Sequence, residues 1–405
     1  MKFPDGLLKK LNALFDPKKT LRNALVADRE FTLLVLAGFV AGVAGGINAS
    51  IFNNFLNDVY HLSEVARGVV EIPRELPGLL LMFIFAGLSF LGSTRLAALS
   101  MLFSAAGMAG LGLLSPGFGA MLVWMVILNL GTHIFMPLVP GIGMNLSKRE
   151  NYGARLALYN AYSLAATIIG YIIVWLGFGF LNLSFSAAFS AAAVCYFLAA
   201  AILFRMKPQK PDVKRRFVFR KKYSLFYALS IVNGARKQIF LTFAPWVLIK
   251  VYGLDTPYFA VFGLIIAALS IGTRTVVGKA IDRLGERAVL SAEAVLLIIL
   301  CMGYAFSADI FPVGVAVAVT AGCYILDNSV TAVEMARSTY VRKIADDANE
   351  VIPTLSTGVS LDHAVSMTIP VFGGLLWEAL GYQIVFVCAS LIAVTNLALS
   401  FRIKT

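Results

Sequence analysis

Long apolar runs, each followed by a short polar connection, occupy almost the whole chain. A helix that crosses a bilayer needs about 20 mostly apolar residues, and twelve runs come close to or exceed that length. The predicted spans, numbered in chain order, are 31–57, 72–92, 96–114, 118–146, 153–178, 183–204, 224–250, 256–277, 288–307, 311–337, 352–379 and 383–401. The pattern predicts an all-α polytopic membrane protein with 12 transmembrane helices, several of them tilted or kinked.

The composition agrees with this pattern and excludes several classes of protein. Of the 405 residues, 59% are hydrophobic and 14% are charged, whereas soluble domains have about 45–50% apolar and about 25% charged residues. A soluble enzyme and a disordered chain are therefore excluded. The 4 cysteines all lie in apolar runs, so they do not indicate a disulfide framework.

Lys and Arg residues concentrate in alternate connections, which predicts the orientation of the chain. Basic residues are retained on the cytoplasmic side of a membrane. If the N-terminus lies inside, 29 of the 34 basic residues fall on the cytoplasmic side. Both termini are therefore expected in the cytoplasm, and the protein in the cell (cytoplasmic) membrane. The net charge of +12 is then a positioning signal, and it does not indicate binding to nucleic acid.

A basic connection in the middle divides the chain into two halves of similar length. The predicted domains are a cytoplasmic amphipathic segment (1–30), a first six-helix bundle (31–204), a basic cytoplasmic linker (205–223) and a second six-helix bundle (224–402). A solvated basic tail is the alternative for the first segment.

Polar residues recur at matching places in the two halves, which indicates an internal repeat. The matching pairs are Asn48 with Asn233, Asn129 with Asp327, and Asn160 with Asp362. Parallel repeats of this kind place a binding site between them, near the middle of the membrane.

A short motif follows span 8, and reads Gly278-Lys-Ala-Ile-Asp282-Arg283-Leu-Gly285-Glu-Arg287. It resembles the signature of the major facilitator superfamily. The resemblance implies two six-helix bundles related by a pseudo-two-fold axis, which rock to give alternating access. In the motif, Gly278 would let two helices approach closely, Gly285 would permit a turn, and Asp282 would accept hydrogen bonds as part of a cytoplasmic gate.

The corresponding position after span 2 departs from this pattern. It reads Gly92-Ser-Thr-Arg95 and lacks the aspartate. A gate with two equivalent halves is therefore in doubt, and the chain resembles a divergent branch of the superfamily.

Polar side chains inside the spans are the candidates for solute binding, because an ionisable group in a membrane is costly. Spans 1, 4, 7 and 10 line the central cavity in the superfamily, and they carry most of these groups. The candidates are Asn48, Asn53, Asn129, His133, Asn233, Arg236, Lys237 and Gln238. The two cations either neutralise a nearby aspartate, bind the anionic part of a solute, or do both. Asparagines also join helices, and His133 has a backbone carbonyl as an alternative partner.

A second set of residues is the candidate site of proton coupling. It comprises Asp327, Glu334, Asp362 and His363. Asp327 and Glu334 are expected two turns apart on one face of span 10. A carboxyl group that is buried near a cation can bind or release a proton as its surroundings change.

The start of span 2 carries Glu71, Arg74 and Glu75 close together. Two interpretations stay open for them. They form either an extracellular gate or the plain interfacial start of a helix, with a proline in its first turn.

These features predict a secondary active transporter that moves a small organic solute by alternating access and is coupled to protons. Efflux of amphipathic, drug-like compounds and transport of an organic anion are both open. The alternative is an uncoupled lipid or amphiphile translocator or sensor. The expected partners are the solute, protons and membrane lipids, and a monomer is expected. No motif for nucleotide hydrolysis, a metal site or a catalytic nucleophile is present in the sequence, so we expect no enzyme activity, cofactor or metal.

Overall fold

The computed structural model describes residues 28–88, 90–147, 152–209 and 219–404. Residues 1–27 of the predicted amphipathic segment and residues 210–218 of the predicted linker lie outside the described residues. Within the described ranges the chain forms α-helices and short 3-10 turns, without a β-strand. The prediction of an all-α fold is confirmed.

The helices follow the predicted apolar runs closely. In the first half they are α1 (Arg29–Asp58), α2 (Glu64–Val69), α3 (Glu71–Leu79), α4 (Leu81–Gly87), α5 (Ser93–Leu113), α6 (Phe118–Asn145), α7 (Tyr152–Phe180) and α8 (Phe185–Phe204). In the second half they are α9 (Ser224–Lys250), α10 (Thr256–Ile310), α11 (Val313–Ser329), α12 (Glu334–Ile344), α13 (Ala348–Leu380) and α14 (Tyr382–Ser400). Nine helical segments of the described chain are long and apolar enough to cross a membrane.

Four predicted spans differ from simple, separate helices. Span 2 consists of α3 and α4, where Pro77 removes a backbone donor and the helix stops at Leu79. Spans 8 and 9 are the two arms of α10, which bends at Gly285 because this residue has a φ of 79°. Span 10 is interrupted after Ser329 by a 3-10 turn, and α12 begins at Glu334. The expectation that Asp327 and Glu334 share one helix face is therefore wrong.

The helices pack as two groups. In the first half α1 lies against α7 and α8, and α5 lies against α6 and α8. In the second half α9 lies against α13 and α14, and α10 against α11 and α14. The packing of α1 on α7 is close, since a Cβ atom on Gly46 would come within 2.3 Å of the Thr167 carbonyl oxygen. The two groups meet where α13 contacts α2 and α3, and where α10 contacts α1 and α7.

The molecule has two ends, which we call distal and proximal. The distal end carries the C-terminus of α1 and the connection from α9 to α10; the proximal end carries the N-terminus of α1 and the bend of α10. At the proximal end Asp28 caps α1 by accepting from the Phe31 amide at 3.3 Å, and its other oxygen accepts from Arg155 at 2.7 Å.

Candidate functional site

A buried group of polar side chains joins the two halves at the distal end. Arg67 donates to Glu71 at 2.5 Å, and neither side chain is exposed. Arg74 donates to the same carboxylate at 2.9 Å, and Gln238 of α9 donates to it at 2.7 Å. Arg67 also donates to Asn53 at 3.1 Å. We call these five residues the distal cluster.

The distal cluster is a closed arrangement of charges rather than the exposed start of a helix. A buried ion pair is tolerated only where further hydrogen bonds satisfy its polar atoms, and here Asn53 and Gln238 supply them. The Arg67 guanidinium carbon also lies 5.8 Å from the ring centre of Trp246, which is fully buried. The interfacial interpretation of Glu71 therefore does not fit its burial.

Close backbone packing surrounds the distal cluster. A Cβ atom on Gly68 of α2 would lie 2.2 Å from the Pro370 carbonyl oxygen of α13. A Cβ atom on Gly374 of α13 would lie 2.5 Å from the Glu64 carbonyl oxygen of α2. Because only glycine fits at both places, the two halves are in direct contact at the distal end.

Two ion pairs lie near the middle of α9 and connect it to its neighbours. Arg236 donates to Asp327 of α11 at 2.7 Å, and Lys237 donates to Asp362 of α13 at 2.5 Å. Gly234 leaves room for the second pair, since a Cβ atom there would lie 2.1 Å from Asp362 Oδ1. The four predicted residues Arg236, Lys237, Asp327 and Asp362 are thus brought together as two pairs.

The two pairs differ in exposure. The side chains of Arg236 and Asp327 are 10% and 11% exposed, whereas that of Lys237 is 30% exposed. A charged amine halfway along a membrane helix faces water or protein rather than lipid. Lys237 therefore indicates a polar space beside α9.

A third polar group combines residues from three helices. His363 Nδ1 of α13 lies 2.8 Å from Glu75 Oε2 of α3. His133 Nε2 of α6 lies 3.9 Å from the same oxygen. His133 Nδ1 lies 2.8 Å from the Asn129 carbonyl oxygen, the backbone partner that was one alternative for this histidine. We call Glu75, His133 and His363 the histidine cluster; its three ligand atoms lie within 4.8 Å of one another.

The motif at the proximal end has a different arrangement from the one expected. Gly285 makes the turn with its positive φ, but Asp282 and Arg283 are exposed. The buried acid here is Glu286, which accepts from Lys343 of α12 at 2.7 Å. A Cβ atom on Gly278 would meet no heavy atom within 4 Å. The expected close helix approach at Gly278 is therefore wrong for this conformation.

The remaining motif residue and an ion pair nearby pack within the second half. Arg287 lies with its guanidinium carbon 5.4 Å from the ring centre of Phe401. Arg337 of α12 donates to Glu293 of α10 at 2.8 Å. Outside the helices, the hydrogen bond and charge of Lys222 hold the pKa of Asp346 below its ordinary value.

Other predicted residues stand apart from these groups. Glu334 is exposed at the first position of α12, beyond the helix break. Asn129 donates to the Met125 carbonyl of its own helix, and Asn233 is buried on α9. Asn48 is half-buried on α1. The sequence predicts the three asparagines as solute-binding residues and Glu334 as a proton-coupling residue, but no hydrogen bond among the described residues joins these four side chains.

Sequence reasoning missed Arg67 and Asn54 as interface residues, whereas Glu75 was among the residues considered for an extracellular gate. Arg67, Glu71 and Glu75 follow one another at intervals of four, so they share one side of a helical segment, and that spacing was an available signal. Asn54 donates to the Leu254 carbonyl across the two halves at 3.0 Å. Nothing in the sequence around Asn54 indicates that its partner lies in the other half.

Fold and site together define a polytopic membrane protein with two packed helical groups and polar residues between them. The family model of the Major Facilitator Superfamily matches residues 34–349. The chain belongs to this superfamily, whose members are transporters rather than enzymes. No curated protein sequence matches the chain.

Solved structures support the fold. The nucleoside transporter NupG matches with a TM-score of 0.72 and 13% identity, covering 92% of this chain and 99% of that chain. A bacterial homolog to the human lysosomal transporter Spinster, in an inward-facing and occupied conformation, matches with a TM-score of 0.69 and 15% identity over 92% and 95% of the two chains. The D-xylose-proton symporter matches with a TM-score of 0.66 and 15% identity over 93% and 98%. At these identities the likeness concerns the fold.

Proposed function

We propose that the chain is a secondary active transporter that moves a small organic anion together with protons across the cytoplasmic membrane. It crosses the membrane twelve times, with the two arms of α10 counted separately and α3 with α4 counted as one crossing. Both termini lie in the cytoplasm, because the basic residues concentrate on that side. The proximal end is then cytoplasmic and the distal end extracellular.

The conformation supports an inward-open state. The distal end is closed by the distal cluster and by the glycine contacts of α2 with α13. At the proximal end, the ion pair of Asp28 with Arg155 lies within the first half, and those of Glu293 with Arg337 and Glu286 with Lys343 lie within the second half. A carrier whose halves are held together at the distal end would expose its central site to the cytoplasm.

The observation that carries the proposal is the pair of cations in the middle of α9. Arg236 and Lys237 are matched by Asp327 and Asp362, so the group is neutral when all four are ionised. Charge in a poorly hydrated space is costly unless it is balanced. An anionic solute that binds here adds a negative charge, which uptake of one proton would balance.

Asp327 is the proposed acceptor of that proton. Its carboxylate accepts a hydrogen bond from Arg236, and Arg236 Nε makes no hydrogen bond with a described group. A carboxylate or phosphate group of the solute would bind to Arg236, which is suited to planar anions. Asp327 would then lose its partner and take a proton from the open side. In this scheme Asp362 stays the counter-ion of Lys237.

The test uses purified protein in proteoliposomes. Small carboxylates and phosphate esters are screened for thermal stabilisation, and each hit is tested for proton movement with a trapped pH-sensitive dye. We expect Asp327→Asn to abolish proton movement driven by the solute. The matched control is Glu334→Gln, which changes an exposed carboxyl group on the same span and should leave the flux intact.

Two results would overturn the proposal. If Asp327→Asn moved protons with the solute as the unaltered protein does, coupling through this residue would be wrong. If lipids or neutral amphiphiles moved without protons and no anion stabilised the protein, the uncoupled translocator would be the better description.

A further inference from the structure

The histidine cluster has the composition of a metal centre. Two imidazoles and one carboxylate are a common set of protein ligands for Zn²⁺ and related ions, with bond lengths of about 2.0–2.2 Å. His363 Nδ1 lies 2.8 Å and His133 Nε2 lies 3.9 Å from Glu75 Oε2. All three ligand atoms lie within 4.8 Å of one another. Ligands of one ion are separated by roughly 3.3 Å at these bond lengths, so side-chain shifts of an ångström or so complete the set.

The orientation of His133 matches that of a ligand. Its Nδ1 faces the Asn129 carbonyl at 2.8 Å, which places the hydrogen on Nδ1 and leaves the lone pair on Nε2. Histidines that bind metals usually donate their other ring nitrogen to a carbonyl or carboxylate in this way. The free Nε2 points toward Glu75.

The surroundings make space for both rings. A Cβ atom on Gly78 would lie 2.7 Å from His133 Cδ2 and 2.7 Å from His363 Cε1. The two ring centres are 5.2 Å apart and the rings are inclined at 65°. The side chains of Glu75, His133 and His363 are only 11–13% exposed. The cluster is therefore enclosed, and it is built around a glycine rather than left on a surface.

We propose that Glu75, His133 and His363 bind one transition-metal ion of the Zn²⁺ type and that the bound ion holds the distal end closed. Glu75 and His133 belong to the first half, and His363 belongs to the second. The three ligands meet only while α13 rests on α3. An ion that binds one conformation alone shifts the population toward it. His363 directly follows Asp362, the counter-ion of Lys237 in the proposed solute site, but binding of the metal to the cluster can be measured without knowing the solute.

The first test measures binding on the purified full-length protein. Zn²⁺ titration calorimetry gives the affinity, and the visible absorption of Co²⁺ reports the ligand geometry. We expect one ion per chain. His133→Gln and His363→Gln should each weaken binding by at least about 100-fold, since loss even of an outer partner costs 10–100-fold. Glutamine keeps a polar side chain of similar length, and circular dichroism with thermal melting checks that each variant is folded.

The matched control comes from the third histidine of the chain. His61 is exposed in the connection between α1 and α2. His61→Gln should leave the affinity and the Co²⁺ spectrum unchanged. The proposed site would be overturned if both cluster variants bound Zn²⁺ as tightly as the unaltered protein. It would also be overturned if His61→Gln were the variant that lost binding.

The second test measures the effect of the ion on the distal end. A cysteine replaces Val70, which is fully buried where α2 meets α3, in protein whose own cysteines are replaced by serine. Zn²⁺ should slow thiol labelling of this cysteine by at least tenfold, and His363→Gln should remove the effect. If Zn²⁺ binds to the cluster but labelling is unchanged, the proposed closure is wrong.

Discussion

The two ends of the interface between the halves are built in opposite ways. At the distal end, Glu71 is buried with three hydrogen-bonded partners, and a glycine contact lets α2 touch α13. At the proximal end, Asp282 and Arg283 are exposed, and the space around Gly278 is open. Both ends carry charges and glycines, but among the described residues only those of the distal end join the halves.

This difference indicates how a rocking carrier can be held in one state. Packed charges at the distal end stabilise the closed arrangement there, because the Glu71 carboxylate accepts hydrogen bonds from Arg67 of α2 and from Gln238 of α9. The proximal ion pair of Glu286 with Lys343 lies within the second half, and so it moves with that half as a unit. A charge cluster controls access only where its members belong to both halves.

We expect Glu71→Gln to lower the stability of the closed distal end more than any other change considered. Arg67 would keep its buried position without an anionic partner, and breaking a buried pair costs about 3–5 kcal/mol. We expect a lower melting temperature in detergent and faster thiol labelling at the distal end. Asp58→Asn, an exposed carboxyl change at the same end, is the control. A melting temperature equal to that of the unaltered protein would show that the distal cluster does not hold the closed state.

The next effect is that of Gly68→Ala. Its methyl group would lie 2.2 Å from a backbone oxygen of α13, and overpacking of this kind costs about 1–3 kcal/mol. Thermal melting and distal labelling should both change in the same direction as for Glu71→Gln. Gly45→Ala on α1, where the new methyl group meets nothing within 4 Å, controls for the change in helix propensity.

The corresponding change at the proximal end is Gly278→Ala. The site is open and helical, so the change should leave stability unchanged or raise it by up to about 1 kcal/mol. If Gly278 is buried once the proximal end closes, transport should still slow down. A melting curve measures the effect on stability, and a solute flux assay measures the effect on transport. If Gly278→Ala lost as much stability as Gly68→Ala, the proposed difference in packing between the two ends would be wrong.

We expect the smallest effect on stability from the protonation of Asp346. Its pKa is lowered by the hydrogen bond and charge of Lys222, so the pair stabilises the fold above the ordinary aspartate pKa and loses this contribution as pH falls through the lowered value. Melting of the unaltered protein and of Lys222→Gln should differ slightly near neutral pH and converge in acid. A difference that grew toward acid would have the wrong sign.

Most of the fold could be predicted from the sequence because a membrane helix is marked by local composition. Arg236, Lys237, Asp327 and Asp362 could also be found, since charged residues in apolar runs are rare. Their pairing could not be found, because it depends on how α9 rotates against α11 and α13. The distal cluster was ambiguous for a similar reason, since its burial comes from a contact of α2 and α3 with residues near 370, far along the chain.

Glu334 shows the limit of periodicity. Seven residues separate it from Asp327, which puts both on one side of an unbroken helix. The 3-10 turn at Thr331–Val333 removes that relation. No proline or glycine marks the turn, so the apolar pattern alone continued the helix through it.

The position of Trp246 has a spectroscopic consequence. The centre of its buried ring lies 5.8 Å from the Arg67 guanidinium carbon and 5.3 Å from the Lys250 ammonium nitrogen. Any movement that separates α2 from α9 removes one of these cations and admits water to the indole. The emission maximum of this tryptophan, in protein whose other three tryptophans are replaced by phenylalanine, would therefore follow the opening of the distal end in real time and without a label.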